Sequence, residues 1–354
     1  MGCLLNKSRR SDYKVSKEDS FIKRKQYSWD KRQIIDLKDY TVENVENEEV
    51  WRMPGTIQGQ QFVIQNCKNT RMFIFDHLNS VNIDECTNCQ IVLGAVKGSV
   101  FLRNCTNCVC LVACGQFRTR DCRKMNIFLS CATQPIIESS TNIHFGCYQL
   151  HYSELEDHFQ KAGLSCFNNN WSDIHDFTPM RGETNWCLLP DTIHIEDCVP
   201  LPSCDEPRKV NMSLSCDKSV IPFTWGLHKR LTGESCLVAF FSDGQQVQRA
   251  REFISSIRQE HPECLLLLSK EVQMQQANAE RAFKTSAYNR VLERGQVIGL
   301  HYNGPSCLQK CEKVAKKIAT STGLPGLVYV STNPKTAQQQ VNDFFNYGDI
   351  QMTS

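Results

Sequence analysis

Residues 64–75 read IQNCKNTRMFIF, 83–93 IDECTNCQIVL, 102–112 LRNCTNCVCLV, 119–129 TRDCRKMNIFL and 137–147 IESSTNIHFGC. Aligned on Cys67, Cys86, Cys105, Cys122 and Ser140, these segments recur at steps of 19, 19, 17 and 18 residues. Each is a short apolar run entered through a polar turn. The step is too short for a helix pair, and the runs are rich in β-branched and aromatic residues. Each repeat therefore reads as one coil of a right-handed parallel β-helix. One coil cannot bury its inner face alone, so neighbours must stack.

Working outward, the cysteines come first. Cys86-x2-Cys89 followed by Cys105-x2-Cys108 has the spacing of a zinc ribbon. The other repeats place Thr70, Met125 and Ile143 where Cys89 and Cys108 stand, and a column that accepts Cys, Met and Ile is a packing column. Free cysteine behaves as a small buried hydrophobe, so a cysteine ladder is favoured over a metal site and no metal is expected. Adventitious metal on these four thiols stays open. No secretory signal opens the sequence, which argues against disulfides among the 20 cysteines.

At 354 residues, with 41% hydrophobic and 22% charged residues and a formal net charge of +2, the composition suits about two globular domains. It gives no global reason to expect nucleic acid as a partner. Residues 1–25 are different in kind. Met1-Gly2-Cys3 is followed by Lys7, Arg9, Arg10, Lys14, Lys17 and the run Lys23-Arg24-Lys25. One acyl chain anchors only marginally, so a myristoyl group on Gly2, a palmitoyl group on Cys3 and the basic patch together fit a membrane anchor. Asn6 departs from the Ser or Thr of the myristoylation pattern, and an ordinary basic start is the alternative.

Residues 26–190 form the β-helix region. Tyr27 and Trp29 suit a cover for its open end, Pro54-Gly55-Thr56 reads as a turn into a first regular coil at Gln60–Ile64, and Leu155, Phe159 and Ala162 have the spacing of a capping helix. Residues 191–229 lose periodicity and read as a linker. Residues 230–354 alternate strand-like and helix-like runs, beginning with a strand at Cys236–Phe241 and a helix at Gln245–Gln259. A helical stretch runs from Met274 to Glu293. The order of elements predicts a small α/β ferredoxin-like domain.

In Gln116-Phe117-Arg118-Thr119-Arg120, side chains alternate between faces. Thr119 aligns with Ile83, Leu102 and Ile137, an inner column; Arg120 aligns with Asp84, Arg103 and Glu138, an outer one. Coils stack about 4.8 Å apart, which predicts an outward patch of Gln116, Arg118, Arg120 and Glu138. A charge pattern of this kind is often only a solvated face. An arginine on a stiff strand can also enter another protein's nucleotide site and neutralise a transferring phosphoryl group.

The segments Gln26-Tyr27-Ser28-Trp29-Asp30, Gly59-Gln60-Gln61-Phe62, Cys114-Gly115-Gln116-Phe117-Arg118, Arg120-Asp121-Cys122-Arg123 and Ala132-Thr133-Gln134-Pro135-Ile136-Ile137-Glu138 resemble the tubulin-cofactor-C domain family. The resemblance implies a GTPase-activating protein for an Arf-like small GTPase, chiefly Arf-like protein 3 and also Arf-like protein 2. It would be attached to the cytoplasmic face of the plasma membrane by two acyl chains and would serve traffic of lipidated cargo to the cilium or basal body. By that resemblance Arg118 is the arginine finger, Gln116 helps to position it or the partner's glutamine, and Glu138 contacts the GTPase. Arg120 joins them on the outer-column reading. Phe177 is a weaker contact candidate, since packing after the capping helix would also explain it. GTP and Mg²⁺ belong to the partner, because the chain has no Walker-type glycine loop.

The C-terminal region resembles nucleoside diphosphate kinase at Gln296-Val297-Ile298-Gly299-Leu300 and Gly304. No histidine follows His301, and phosphoryl transfer in that family needs one, so a domain without kinase activity is expected. A non-catalytic effector or scaffold that binds the GTP-loaded partner at a membrane is the alternative to the activator.

Overall fold

The computed structural model describes residues 37–180, 182, 184–200, 205–229, 231–322 and 327–353. Gly2, Cys3, the basic run and the cover expected from Tyr27 and Trp29 lie outside the described residues.

After a single 3₁₀ turn at Leu37–Tyr40 come β1 (Thr41–Glu43), β2 (Glu49–Arg52), β3 (Phe62–Gln65), β4 (Arg71–Ile74), β5 (Val81–Asp84) and β6 (Gln90–Arg103). There follow β7 (Val109–Arg120), β8 (Arg123–Cys131), β9 (Ile136–Glu138), β10 (Thr141–Cys147), α1 (Leu155–Ala162), β11 (His175–Asp176) and β12 (Trp186–Leu188). All these strands pair in parallel, in two columns. One runs β1, β3, β5, the second half of β6, the second half of β7, β9 and β11; the other runs β2, β4, β6, β7, β8, β10 and β12. This is the β-helix that the repeat predicts.

It starts one coil earlier than the expected first coil at Gln60–Ile64. Thr41, Val42 and Glu43 pair with Val63, Ile64 and Gln65. The signal was hidden because Val45 occupies the cysteine position and because the Pro54-Gly55-Thr56 turn lengthens the connection.

Six coils turn a corner through two left-handed residues that flank the buried Cys column. The first set is Asn44, Asn66, Glu85, Asn104, Asp121 and Ser139; the second is Asn47, Asn69, Asn88, Asn107, Lys124 and Asn142, all with φ between 46° and 58°. Asparagine and aspartate tolerate this region better than other side chains. In the second set the amides stack: Asn69 Nδ2 donates to Asn47 Oδ1 at 3.0 Å, Asn88 to Asn69 at 3.0 Å and Asn107 to Asn88 at 2.8 Å.

The two columns differ in what covers their outer faces. In the β4 column Met72 and Ile74 point into the coil while Phe73 and Phe75 point out, yet all four are buried. The outward residues meet Leu155, Phe159 and Ala162 of α1. The expected capping helix therefore lies along the side of the solenoid and does not close its end. The expected linker also packs there. α2 (Ile195–Cys198) and α3 (Glu206–Lys209) are held by Ile195, Val199, Val210, Leu214 and Ile221, which join the same cluster. A sheet buried on both faces needs continuous apolar sequence, as in 109–114, VCLVAC. The other column faces solvent outward, and its sequence alternates, as in 115–120, GQFRTR.

The C-terminal elements are β13 (Ser235–Phe240), α4 (Gln246–Glu260), β14 (Leu265–Val272), α5 (Gln276–Phe283), α6 (Asn289–Leu292), β15 (Val297–Asn303), α7 (Cys307–Thr322), β16 (Val328–Val330) and α8 (Pro334–Thr353). The sheet runs β14-β15-β13-β16 and is antiparallel throughout, the ferredoxin-like order. The helical stretch expected from Met274 to Glu293 is broken, since Lys284 ends α5 in the left-handed region at φ 58°. β14 docks on the β-helix region: Ser269 Oγ donates to the Phe167 carbonyl at 2.8 Å, and the Glu271 amide donates to Asn168 Oδ1 at 2.7 Å.

Candidate functional site

The site grows from the second half of β7. Cα partners across the coils run Phe101, Arg118, Ile136 and His175 in one outward line, and Arg103, Arg120 and Glu138 in the next, with Asp176 beside Ile137. Between these lines the inward residues Val100, Phe117, Leu102, Thr119 and Ile137 are almost wholly buried, as the alignment requires. The buried Thr119 hydroxyl is satisfied by Ser140 Oγ at 3.2 Å, which also accepts the Cys122 amide at 3.2 Å. That pair accounts for serine in the cysteine column at this coil.

Gln116, Arg118 and Arg120 are exposed. Gln116 Oε1 accepts from Ser99 Oγ one coil below at 3.1 Å, which fixes its amide. The preceding Gly115 is needed for space, because a Cβ there would stand 2.6 Å from the Lys97 carbonyl oxygen.

The arginines of this face divide by their partners. Arg103 pairs with Asp84 at 2.8 Å, and its guanidinium lies 5.5 Å from the Phe101 ring centre. Arg120 does not pair with Glu138. Its Nε reaches Asp121 at 3.4 Å instead. The guanidinium of Arg118 makes no hydrogen bond or ion pair with the described residues. Its line neighbours, Phe101 and Ile136, are apolar.

Phe177 joins this face. Its amide donates to the Ile137 carbonyl at 2.9 Å, which carries the outward line of Arg120 and Glu138 one coil further. Its ring meets His175 edge-on at 4.6 Å and is 59% exposed, so packing after the helix does not explain it. Ser99, Phe101, Ile136 and His175 were missed by the sequence reading. The alignment already held the first three, one coil away from Gln116 and Arg118.

The thiols of the ladder lie along the core. Cys67, Cys86, Cys89, Cys105, Cys108, Cys110 and Cys122 are all buried. Cys86 is in side-chain hydrogen-bonding reach of Cys67, Cys89 and Cys105, but among the described residues no three of these sulfurs all lie within 4.8 Å of one another; the one cluster with that spacing is Asp76, His77 and His158. In the C-terminal domain His301 is fully buried and faces Ser235 Oγ at 3.2 Å.

The fold and this outward face define a tubulin-cofactor-C type β-helix, and residues 59–177 match the family described as "Tubulin binding cofactor C". The whole chain is 45% identical over 354 residues to Protein XRP2 of Homo sapiens, covering 99% of both chains. The chain belongs to the XRP2 family. Among solved structures, Tubulin Binding Cofactor C from Leishmania major matches 40% of this chain and 89% of its own at 24% identity, with a TM-score of 0.29. The nucleoside diphosphate kinase of Aquifex aeolicus matches 32% of this chain and 94% of its own at 12% identity, with a TM-score of 0.28.

Proposed function

We propose that this protein is a GTPase-activating protein that supplies Arg118 in trans to an Arf-like small GTPase, chiefly Arf-like protein 3. The observation that carries the reading is the state of Arg118. Two neighbouring arginines are neutralised by Asp84 and Asp121, while Arg118 projects from an in-register coil with its guanidinium uncommitted. A planar, permanently charged fork on a stiff support suits the stabilisation of charge on a phosphoryl group in transfer. Gln116, fixed by Ser99, stands two residues away on the same face. Glu138, Arg120 and Phe177 supply polar and apolar contacts around it. The partner brings GTP and Mg²⁺.

Acylation at Gly2 and Cys3 with the basic run would anchor the chain to a membrane, and the family resemblance supports a setting at the plasma membrane and in ciliary traffic of lipidated cargo. The C-terminal domain lacks kinase activity on this reading, since its buried His301 cannot reach a nucleotide.

The test is single-turnover GTP hydrolysis by Arf-like protein 3 with Mg²⁺, alone and with wild type, Arg118→Lys or Arg118→Ala. Acceleration of roughly 10³ to 10⁵ by wild type is expected, with loss in both variants and retained binding in Arg118→Lys. No acceleration despite GTP-dependent binding would replace the activator by a scaffold.

A further inference from the structure

We propose a divalent metal site of the zinc class at Asp76, His77 and His158, on the side of the β-helix away from the arginine face. Asp76 and His77 follow β4, and His158 comes from α1, so the site joins the helix to the solenoid. Asp76 Oδ1 stands 3.1 Å from His77 Nδ1 and 3.5 Å from His158 Nε2. All three candidate ligand atoms lie within 4.8 Å of one another. Ligand atoms on a tetrahedral zinc with bonds of about 2.0–2.1 Å are about 3.3 Å apart. Two edges already have that length, and the half-buried His77 ring can turn to close the third.

The outer atoms are engaged in the way a metal site requires. His158 Nδ1 is bonded to Tyr152 Oη at 2.8 Å, which leaves Nε2 aimed at the carboxylate. Asp76 Oδ2 accepts the amides of Ile57 at 2.7 Å and Gln58 at 2.9 Å, while Oδ1 accepts the His77 amide at 2.8 Å and keeps a second lone pair for the cluster. Such outer partners fix the orientation of metal ligands and raise their basicity.

Space and access fit as well. Gly59, at φ 77°, lies against His77, where a Cβ would come 3.1 Å from Nε2. Asp76 and His158 have side chains 1% and 4% exposed, while His77 is 19% exposed and opens the cluster to solvent. Three protein ligands with one solvent-facing position is the arrangement of an open zinc site. The donor set of two imidazoles and one carboxylate is distinct from the cysteine columns, and that difference makes the site testable against twenty thiols.

Cobalt(II) is the probe, added to the full-length reduced protein. The expected result is one equivalent bound with weak visible ligand-field bands and without thiolate-to-cobalt charge transfer. Zinc then displaces it and raises the melting temperature. His158→Gln and His77→Gln should abolish the ligand-field signal and the zinc-dependent shift. Tyr152→Phe, which leaves all three ligands in place, should weaken binding roughly 10- to 100-fold. Because His158→Gln could loosen α1 by itself, its melting temperature without metal is the control, and Tyr152→Phe supplies an independent reading. The proposal is overturned if no stoichiometric cobalt signal develops, if the signal is thiolate charge transfer, or if the zinc shift survives in both histidine variants.

Discussion

Asn88 sits in the middle of the amide stack that supports the coils, and its replacement by alanine should cost more than its replacement by glycine. Alanine retains a Cβ at φ 58°, where an L-residue without a helpful polar side chain loses about 1 kcal/mol or more. It also removes two amide hydrogen bonds, to Asn69 at 3.0 Å and from Asn107 at 2.8 Å. Both are solvent-exposed, so about 0.5 kcal/mol each is the appropriate end of the range. The sum is about 2 kcal/mol for Asn88→Ala. Glycine loses the same bonds but relieves the backbone, so Asn88→Gly should cost about 1 kcal/mol, part of it through the freer unfolded chain. Hydrogen exchange resolves a single coil better than global unfolding of a two-domain chain. The amides of 81–103 should lose protection by about thirty-fold in Asn88→Ala, taking 1.36 kcal/mol per decade, and by only about five-fold in Asn88→Gly. An alanine variant as protected as the glycine variant would refute the left-handed corner as the source of the cost. Equal protection in all three proteins would refute the stack.

Alkylation of the native protein at neutral pH should label the exposed Cys187 while Cys110, Cys114 and Cys147 resist, because they are buried and burial pushes the Cys110 and Cys114 thiols far up and Cys147 to about 11; labelling of Cys110 before unfolding, read by peptide mass spectrometry, would contradict this. Arg249 is 2% exposed and bonds Asp243 at 2.6 Å, so Arg249→Ala should destabilise the C-terminal domain by about 3 kcal/mol, the lower end for a broken buried pair because Asp243 sits near the surface. The Arg249 guanidinium holds the Asp243 carboxyl below its ordinary 3.8, so this stabilisation is complete above that pH and is lost as pH falls through the lower folded value; acid unfolding of Asp243→Asn should lack this component. Phe177→Ala should leave stability within about 0.5 kcal/mol and weaken binding to the GTP-loaded partner by at least about 1 kcal/mol, roughly five-fold; unchanged affinity by titration calorimetry would remove Phe177 from the interface.

The coils and the inward or outward sense of Gln116, Arg118 and Arg120 were legible because the strand period is two and the coil repeat nearly constant, so each residue could be checked against four others. What escaped notice had no periodic signature. Val45 and a longer turn disguised the first coil. α1 was recognised as a helix from Leu155, Phe159 and Ala162, but its place was misjudged, since amphipathicity says that one face is buried and not against what. The unbroken apolar runs of the β4 column held the answer: Phe73 and Phe75 needed a cover, and α1 with residues 195–221 provides it. Those residues looked like a linker because Val210, Leu214 and Ile221 lie in irregular chain, where burial has no period. Phe177 joined the arginine face only through backbone pairing of His175 and Asp176 with β9. The Asp76 cluster joins the adjacent Asp76 and His77 to the distant His158, and no spacing rule connects that pair to it.

The contrast between the two columns bears on how one arginine becomes available. A β-helix coil is closed, so an exposed sheet cannot slide without disturbing the covered sheet behind it. Val92 and Leu111 are buried in the cluster that α1 covers, and the same two coils carry Phe101 and Arg118 on the other side. The support for Arg118 is therefore paid for by apolar burial elsewhere in the coil, and the exposed column is free to carry charge. Within that column the acidic residues are placed unevenly. Asp84 takes Arg103 and Asp121 takes Arg120, while Phe101 and Ile136, on either side of Arg118, offer no acceptor at all. An arginine between two apolar neighbours keeps its stem ordered by contact and its charge unspent. Placing an acidic residue there, as in Ile136→Glu, should quench that charge without touching the fold.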